Sequence, residues 1–521
     1  MSRKLLQSTL VTAGMTLLSR ITGLVRDMIF AKMIGAGSGI AADAFYVAFR
    51  IPNFLRRIFG EGAFSQAFVP VFSEYKTRSD AKLTQEFLDY VAGILSLVLI
   101  LVTLVVTLIA PLVVMILAPG FLADPAKYNL TVQVLRIMFP YLLFISLVSM
   151  AGGILNTYGR FGVPAFTPVL LNLSLIGAAL WLAPRMAQPV TGLAWGVFIA
   201  GVAQLLFQLP SLHRLHLLPR PRVNFKHEGV RRMFGLMLPA VFSVSVAQIN
   251  LLVNTLLASF LVTGSVSWLY YSDRLMEFPL GVFGVALATV ILPSLSQKHA
   301  QASREEFSHM LDWALRVTFI IAIPATIGLL VMSAPLIISL FQYGKFNAHD
   351  VEMTQYSLIA FVVGLPAFVL IKILAPGFYA RQDMKTPVRI GIIAIVVNIV
   401  ISLLLVFPLA HGGLALATSL AAMVNAGLLF QGLRRQSVYI PLPGWSGLLG
   451  KIILASALMG IVLWWEGADT ATWLNASAGE RVTRLAFWII IGMLIYTTAM
   501  IFLGVKLREL LLKPIGFKED A

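Results

Sequence analysis

Cysteine is absent from this 521-residue chain, which excludes disulfides, thiolate metal sites and cysteine nucleophiles. Charge is scarce: only 12% of residues are Asp, Glu, Lys or Arg, and 39 bases outnumber 23 acids. A Gly-x-x-x-x-Gly-Lys-Ser/Thr phosphate loop is missing as well, so ATP is not expected to drive the chain's activity. The seven histidines are scattered. His213, His216 and His227 share a basic loop, but without the His-Glu-x-x-His spacing that brings two imidazoles to one zinc. Neither a metal nor a cofactor is expected.

What the chain has in abundance is hydrocarbon. With 59% hydrophobic residues it cannot hide its apolar surface from water in a globular arrangement, and a bilayer helix needs roughly 20 apolar residues. The apolar runs between Gly, Pro and charge clusters predict an all-α integral membrane protein with fourteen transmembrane helices. They fall near 5–34, 40–74, 84–118, 128–157, 164–183, 190–212, 233–262, 265–296, 306–342, 352–379, 386–407, 412–433, 445–465 and 483–505. The segment Leu5 to Met33 follows Arg3 and Lys4 as the core of a signal peptide would. Arg20, Arg26 and Asp27 interrupt it, so it reads as a retained first span.

Basic residues test that count, because a missed helix would reverse the sidedness of every later loop. With the N-terminus placed inside, the cytoplasmic segments collect 24 Lys and Arg and the opposite side 6, Lys127 among them. An even number of spans with both termini cytoplasmic follows. The net charge of +16 then reflects orientation and contact with anionic membrane lipid, and no nucleic-acid partner is needed. Nine bases remain within the spans: Arg20, Arg26, Arg50, Arg56, Arg57, Arg136, Arg274, Arg316 and Lys372.

A weak internal repeat is also legible. Phe68-Val-Pro-Val-Phe-Ser-Glu resembles Ile291-Leu-Pro-Ser-Leu-Ser-Gln, with prolines 223 residues apart, and Tyr158-Gly-Arg160 with Thr167-Pro-Val matches Tyr379-Ala-Arg381 with Thr386-Pro-Val. Six spans per unit give the two copies one orientation, as in parallel transporter repeats. The expected division is a first lobe at 1–220, a second at 221–440, and a last segment at 441–521 that holds spans 13 and 14 and a cytoplasmic tail.

A charge at the bilayer centre costs at least about 2.5–3.5 kcal/mol, so intramembrane arginines face a partner or a wet cavity. They cluster in spans 1, 2 and 8. Span 1 reads Ser19-Arg20-Ile-Thr-Gly23-Leu-Val-Arg26-Asp27, with Arg20 and Asp27 nearly on one face. In span 2, seven-residue steps align Asp43, Arg50 and Arg57, while Asn53, Arg56 and Gly60 form a second row. Pro52 and the Gly60-Glu61-Gly62 stretch loosen this helix, and irregular backbone at membrane depth is tolerated only in protein or beside water. Span 8, Ser267-Trp-Leu-Tyr-Tyr-Ser-Asp273-Arg274-Leu-Met-Glu277-Phe-Pro279, is the counterpart of span 2. Asp43, Glu61, Asp273 and Glu277 offer local neutralisation. Guanidinium forks match phosphate oxygens, so the arginines point to a phosphate-bearing substrate.

Four stretches are longer than chance motifs. They are Ser-Arg-x-x-Gly-x-x-Arg-Asp in span 1, Asp-Ala-Phe-x-x-Ala-Phe-Arg-x-Pro-Asn-x-x-Arg-Arg-x-x-x-Glu-Gly-Ala-Phe in span 2, Trp-x-Tyr-Tyr-x-Asp-Arg-Leu-Met-Glu-Phe-Pro in span 8, and Leu-Ala-Pro-Gly-Phe-Tyr-Ala-Arg-Gln-Asp at 374–383. Over essentially its whole length the chain resembles the MurJ (MviN) lipid II flippases of bacterial cell-wall synthesis. The resemblance implies the MOP exporter fold: two six-helix lobes around a central cavity, and two C-terminal helices that form a groove for a polyprenyl tail. It implies lipid II as substrate, the inner membrane as location, and the cell-division or elongation machinery as neighbour.

By the same resemblance, Arg20, Arg26, Arg56 and Arg274 match cavity arginines that engage the pyrophosphate. Ser19, Gly23, Asp27, Asp43, Asn53, Glu61, Ser267, Asp273 and Glu277 match supporting cavity or motif positions. Sodium coupling is not carried over, since Gln248, Asn250 and Asn254 in span 7 and Asn398 in span 11 come without an acid. The rival readings are a flippase for another polyprenyl-linked oligosaccharide and an integral-membrane glycosyltransferase. The latter needs a catalytic carboxylate on a sizeable outer loop, and the longest here, Glu466 to Glu480, is short.

Overall fold

The computed structural model describes residues 3–57, 62–281, 291, 295–296, 303–467 and 470–506. Glu61, Gly60 and the 292–294 part of the sequence repeat lie outside them. Among the described residues there are nineteen α-helices and no strand. The chain forms two compact units, Met1–Ser267 with Tyr343–Phe346, and Trp268–Gln342 with Asn347–Ala521.

The first unit holds α1 (Arg3–Ile34), α2 (Ile40–Arg56), α3 (Ala63–Arg78), α4 (Ala81–Leu108), α5 (Ala110–Leu117), α6 (Pro125–Met138), α7 (Tyr141–Thr157), α8 (Gly162–Gly177), α9 (Pro189–Arg214), α10 (Glu228–Ser259) and the start of α11 (Ser265–Pro279). Here α1 runs along α8, α2 along α6 and α3 along α10. That last pairing is why the seventh span groups with the first six. Phe64, Phe68 and Phe72, one turn apart on α3, stack at centroid distances of 5.1 and 5.3 Å and meet Phe87 of α4.

The second unit continues α11 and adds α12 (Arg304–Val331), α13 (Ser333–Phe341), α14 (Ala348–Val362), α15 (Leu365–Tyr379), α16 (Lys385–Arg435), α17 (Trp445–Val462), α18 (Thr470–Leu474) and α19 (Ala478–Phe502). In it α15 packs on α16, α12 on α15 and α17, and α17 on α19.

Several spans expected as single helices are broken. The third ends at Ile109, just before Pro111, and the carbonyl of Thr107 that this proline cannot engage accepts a hydrogen bond from Arg136 Nε at 3.2 Å. Arg136 is thus a plug for a proline break. Spans 11 and 12 form one 51-residue run, which if straight would reach about 76 Å, more than twice the hydrocarbon thickness. Ala410, at φ 45° and ψ −131°, folds it back. Gly413 is required at this corner, because a Cβ would lie 2.2 Å from the carbonyl oxygen of Leu405.

By length and composition eight described helical stretches suffice to cross a membrane, or nine if α14 and α15, bent by 40°, make one span. The folded-back α16 counts once in that figure. The short, charged α2 and α11 and the charge-bearing α1 fall outside it, for the same reason that they attract functional interest.

The repeat is far clearer in the fold than in the sequence. Asp80 caps α4 by accepting from Leu83 N–H, and Ser303 caps α12 by accepting from Glu306 N–H. Ile109 closes α4 at φ −89° and ψ 16°, and Met332 closes α12 at φ −92° and ψ 15°. Asp124 caps α6 and Asn347 caps α14. All three pairs are 223 residues apart, so the later spans of each copy share a register.

Candidate functional site

In the first unit Arg26 and its neighbours Ser19 and Thr22 on α1 are tied to α8. Asn172 of α8 donates from Nδ2 to the Ser19 carbonyl (2.9 Å) and to Thr22 Oγ1 (3.1 Å), and it accepts from Arg26 at 3.0 Å. Gly23 faces this amide, and a Cβ there would sit 3.4 Å from Asn172 Nδ2, in ordinary contact. Arg26 also grips Asp27 Oδ1 with Nε (3.0 Å) and Nη2 (2.7 Å), and the pair is buried. Arg20 is half-buried and has no hydrogen-bond or ion-pair partner among the described residues. Of the two span-1 arginines it is therefore the cation that retains an open guanidinium.

The stripe expected along α2 exists, and it faces the α10–α11 segment. Asp43, 1% exposed, accepts from Lys127 Nζ (2.7 Å), Gly264 N–H (2.9 Å), Ser267 N–H (3.0 Å) and Ser267 Oγ (2.6 Å). One and two heptads on, Arg50 donates to Thr255 Oγ1 and Arg57 to Gln248 Oε1 (2.9 Å). The second row is real as well: Arg56 holds Asn53 Oδ1 with Nε at 3.0 Å and Nη2 at 2.8 Å.

In the second unit Arg274 lies 3.2 Å from Glu277 Oε2 one turn away and over the Tyr270 ring at 5.6 Å. About two fifths of each side chain in that pair is exposed, 39% and 45%. Asp273 is half-buried.

Two participants escaped the sequence reading. Lys127, counted as an outer-loop charge, is 4% exposed in the first turn of α6, paired to Asp43, with its ammonium 4.2 Å from the Phe121 ring. It is a buried partner and not a loop residue. Asn172 is an amide in the otherwise mostly apolar stretch Val169-Leu-Leu-Asn-Leu-Ser, and that oddity is the signal in the sequence that marks it. Among the described residues no group of His, Asp and Glu is arranged to hold a metal ion.

Each of these helices carries half-exposed cations or buried polar clasps within an all-helical fold. A family model described as "Lipid II flippase MurJ" matches residues 30–483. The chain belongs to the lipid II flippase MurJ family. A relative from Vibrio cholerae serotype O1, "Probable lipid II flippase MurJ", is 46% identical over 516 residues, covering 98% of both chains. "Lipid II flippase MurJ" of Burkholderia cenocepacia is 43% identical over 507 residues, 96% of this chain and 98% of that one. The solved structure "Lipid II flippase MurJ, inward closed conformation" superposes with a TM-score of 0.80 at 27% identity, over 95% of this chain and 98% of that one. An inward-facing MATE family multidrug transporter of the MOP superfamily follows at TM-score 0.68 and 15% identity, over 82% of this chain and 98% of that one, a likeness of fold alone.

Proposed function

We propose that this chain is a lipid II flippase: a multi-pass protein of the cytoplasmic membrane, not an enzyme, that carries the undecaprenyl-pyrophosphate-linked precursor from inner to outer leaflet by alternating access. The observation that carries this reading is full-length kinship, 98% of both chains at 46% identity with a curated MurJ relative. A multidrug exporter would want acids for cationic drugs, whereas the charged helices here present guanidinium groups.

Arg20, Arg26, Arg56 and Arg274 are the proposed pyrophosphate-binding residues, because guanidinium groups in a low-dielectric setting recognise phosphate bidentately. Asp43 and Ser267 are proposed to hold the start of α11 in place, and Asp27, Asn53 and Glu277 to set the orientation of neighbouring arginines. Ser19, Gly23, Glu61 and Asp273 complete the proposed set. Fourteen spans with both termini inside, lobes at 1–220 and 221–440, and a tail groove at 441–521 complete the topology. The division or elongation machinery is the expected neighbour, since it consumes lipid II on the outer leaflet.

The test is depletion of the protein followed by leaflet-resolved measurement of lipid II. Accumulation on the inner leaflet is expected. Accumulation of an earlier precursor would overturn the reading in favour of an enzyme.

A further inference from the structure

The two copies share a device at the end of their sixth span. In the first, buried Asp89 of α4 accepts from Arg220 N–H at 2.8 Å and its carbonyl from Arg222 N–H at 3.0 Å, while Gln85 Nε2 reaches Asp89 Oδ1 and the Leu218 carbonyl. In the second, 223 residues on, buried Asp312 of α12 accepts from Leu442 N–H at 3.1 Å, Tyr439 Oη at 2.7 Å and Trp445 Nε1 at 2.8 Å, while Ser308 exchanges hydrogen bonds with Ile440. Each clasp holds a Pro-x-Pro loop, Pro219-Arg-Pro221 or Pro441-Leu-Pro443.

The copies differ at the position one turn after the buried carboxylate. Gly93 stands one turn after Asp89, and a Cβ on it would lie 2.0 Å from the Arg222 carbonyl oxygen, so the loop backbone rests on the helix. Its counterpart is Arg316, whose Nε binds Asp312 Oδ2 at 2.6 Å and whose Nη2 binds the carbonyls of Pro443 (2.9 Å) and Leu442 (3.3 Å). A guanidinium now stands between helix and loop. The space beside the loop differs accordingly: about 150 Å³ in the first copy, lined by Ala92, Ser96, Pro219 and Pro221, and about 790 Å³ in the second, lined by Leu315, Phe319, Pro441 and Pro443 at the matching places.

We propose that Asp312 and Arg316 are positioning residues that prop the 436–444 loop off α12 and keep open an apolar chamber beside α17 for an acyl chain of a bilayer phospholipid. No lining residue is charged, so nothing in the chamber would hold a diphosphate headgroup. Arg316 points its guanidinium at Asp312 and the loop carbonyls. An apolar chamber of this size is unsuited to water, which needs two to four polar partners, and hydrocarbon is the ambient solvent of a membrane helix.

The lack of cysteine makes the test direct. A Cβ on Gly427, which lines the chamber, meets nothing within 4 Å, so Gly427→Cys accepts a bimane label, and exposed Leu404→Cys serves as reference. The readout is the ratio of quenching at 427 to that at 404 by phosphatidylcholine with brominated acyl chains, in vesicles holding the full chain. A high ratio is expected, with most of it lost in Arg316→Gly and retained in Arg316→Lys. Should Arg316→Gly fail to insert, Asp312→Asn is expected to lower the ratio in part. A ratio near zero in the parent overturns the occupant, and an unchanged ratio in both loss variants overturns the positioning role. Relief of quenching by stoichiometric undecaprenyl phosphate would assign the chamber to a polyprenyl tail and sink the acyl-chain proposal.

Discussion

Asp43 offers the sharpest energetic test. Its Oδ2 receives Lys127 and Gly264 N–H, and its Oδ1 receives both donors of Ser267. In Asp43→Asn one of those oxygens becomes a donor. Placed toward Ser267, the remaining oxygen leaves an amide facing the ammonium of Lys127; flipped, it leaves the amide facing Ser267. Since Lys127 is 4% exposed, it becomes a buried cation without its counter-ion, a change that costs about 3–5 kcal/mol. Lys127→Met costs less, because Asp43 keeps three neutral donors. The informative variant is the double one, with no buried charge left: it is expected to be more stable than Asp43→Asn by about 1–3 kcal/mol. Reversible unfolding in mixed micelles, followed by tryptophan fluorescence, measures all three. If Lys127→Met simply adds its own loss to that of Asp43→Asn, the ion pair is not what holds this corner and the reasoning fails.

Arg274→Ala and Arg20→Ala are expected to abolish growth of a flippase-depleted strain while the protein still inserts; full complementation by both variants counts against a phosphate-binding role. Gly93→Ala places a methyl against the Arg222 carbonyl and is expected to destabilise by about 1–3 kcal/mol, whereas Gly235→Ala, with nothing within 4 Å of its Cβ, is expected to stabilise by about 0.5–1 kcal/mol; the same micelle unfolding compares them. The Thr386 side chain and backbone N–H hold the Asp383 carboxyl below the usual carboxylate range. The stability it adds is therefore present above the unfolded-state pKa and lost as pH falls through its folded value. Asp383→Ala is expected to cost about 1 kcal/mol at neutral pH, and the deficit relative to the parent should vanish in acid; a deficit that persists at low pH refutes the role of these hydrogen bonds.

Much of the site was legible because helical geometry is rigid. Seven-residue steps put Asp43, Arg50 and Arg57 on one stripe, and that stripe does run along a single partner, the α10–α11 segment. A three-residue step put Asn53 beside Arg56, which is where it bonds. What the sequence withheld were contacts set by tertiary packing. Lys127 sits next to a polar stretch and reads as one more loop charge, since no local pattern announces that α6 carries it to Asp43, 84 positions earlier in the chain. The repeat was faint for a related reason: its conserved content is the placement of caps, breaks and buried carboxylates, and Asp80 matched with Ser303, or Asp124 with Asn347, does the same work with different letters. Breaks such as Ile109 were invisible as apolar residues in apolar runs, although Pro111 two positions on was a fair warning.

The fold-back at Ala410 bears on how the protein is made. Between the two arms of α16 there is hardly any connecting chain, so no hydrophilic segment has to be hauled across the membrane for the second arm to follow the first. During synthesis the arms are best handed to lipid together, as a closed hairpin, and a hydrophilic insert at this corner would tax biogenesis well before it disturbed transport.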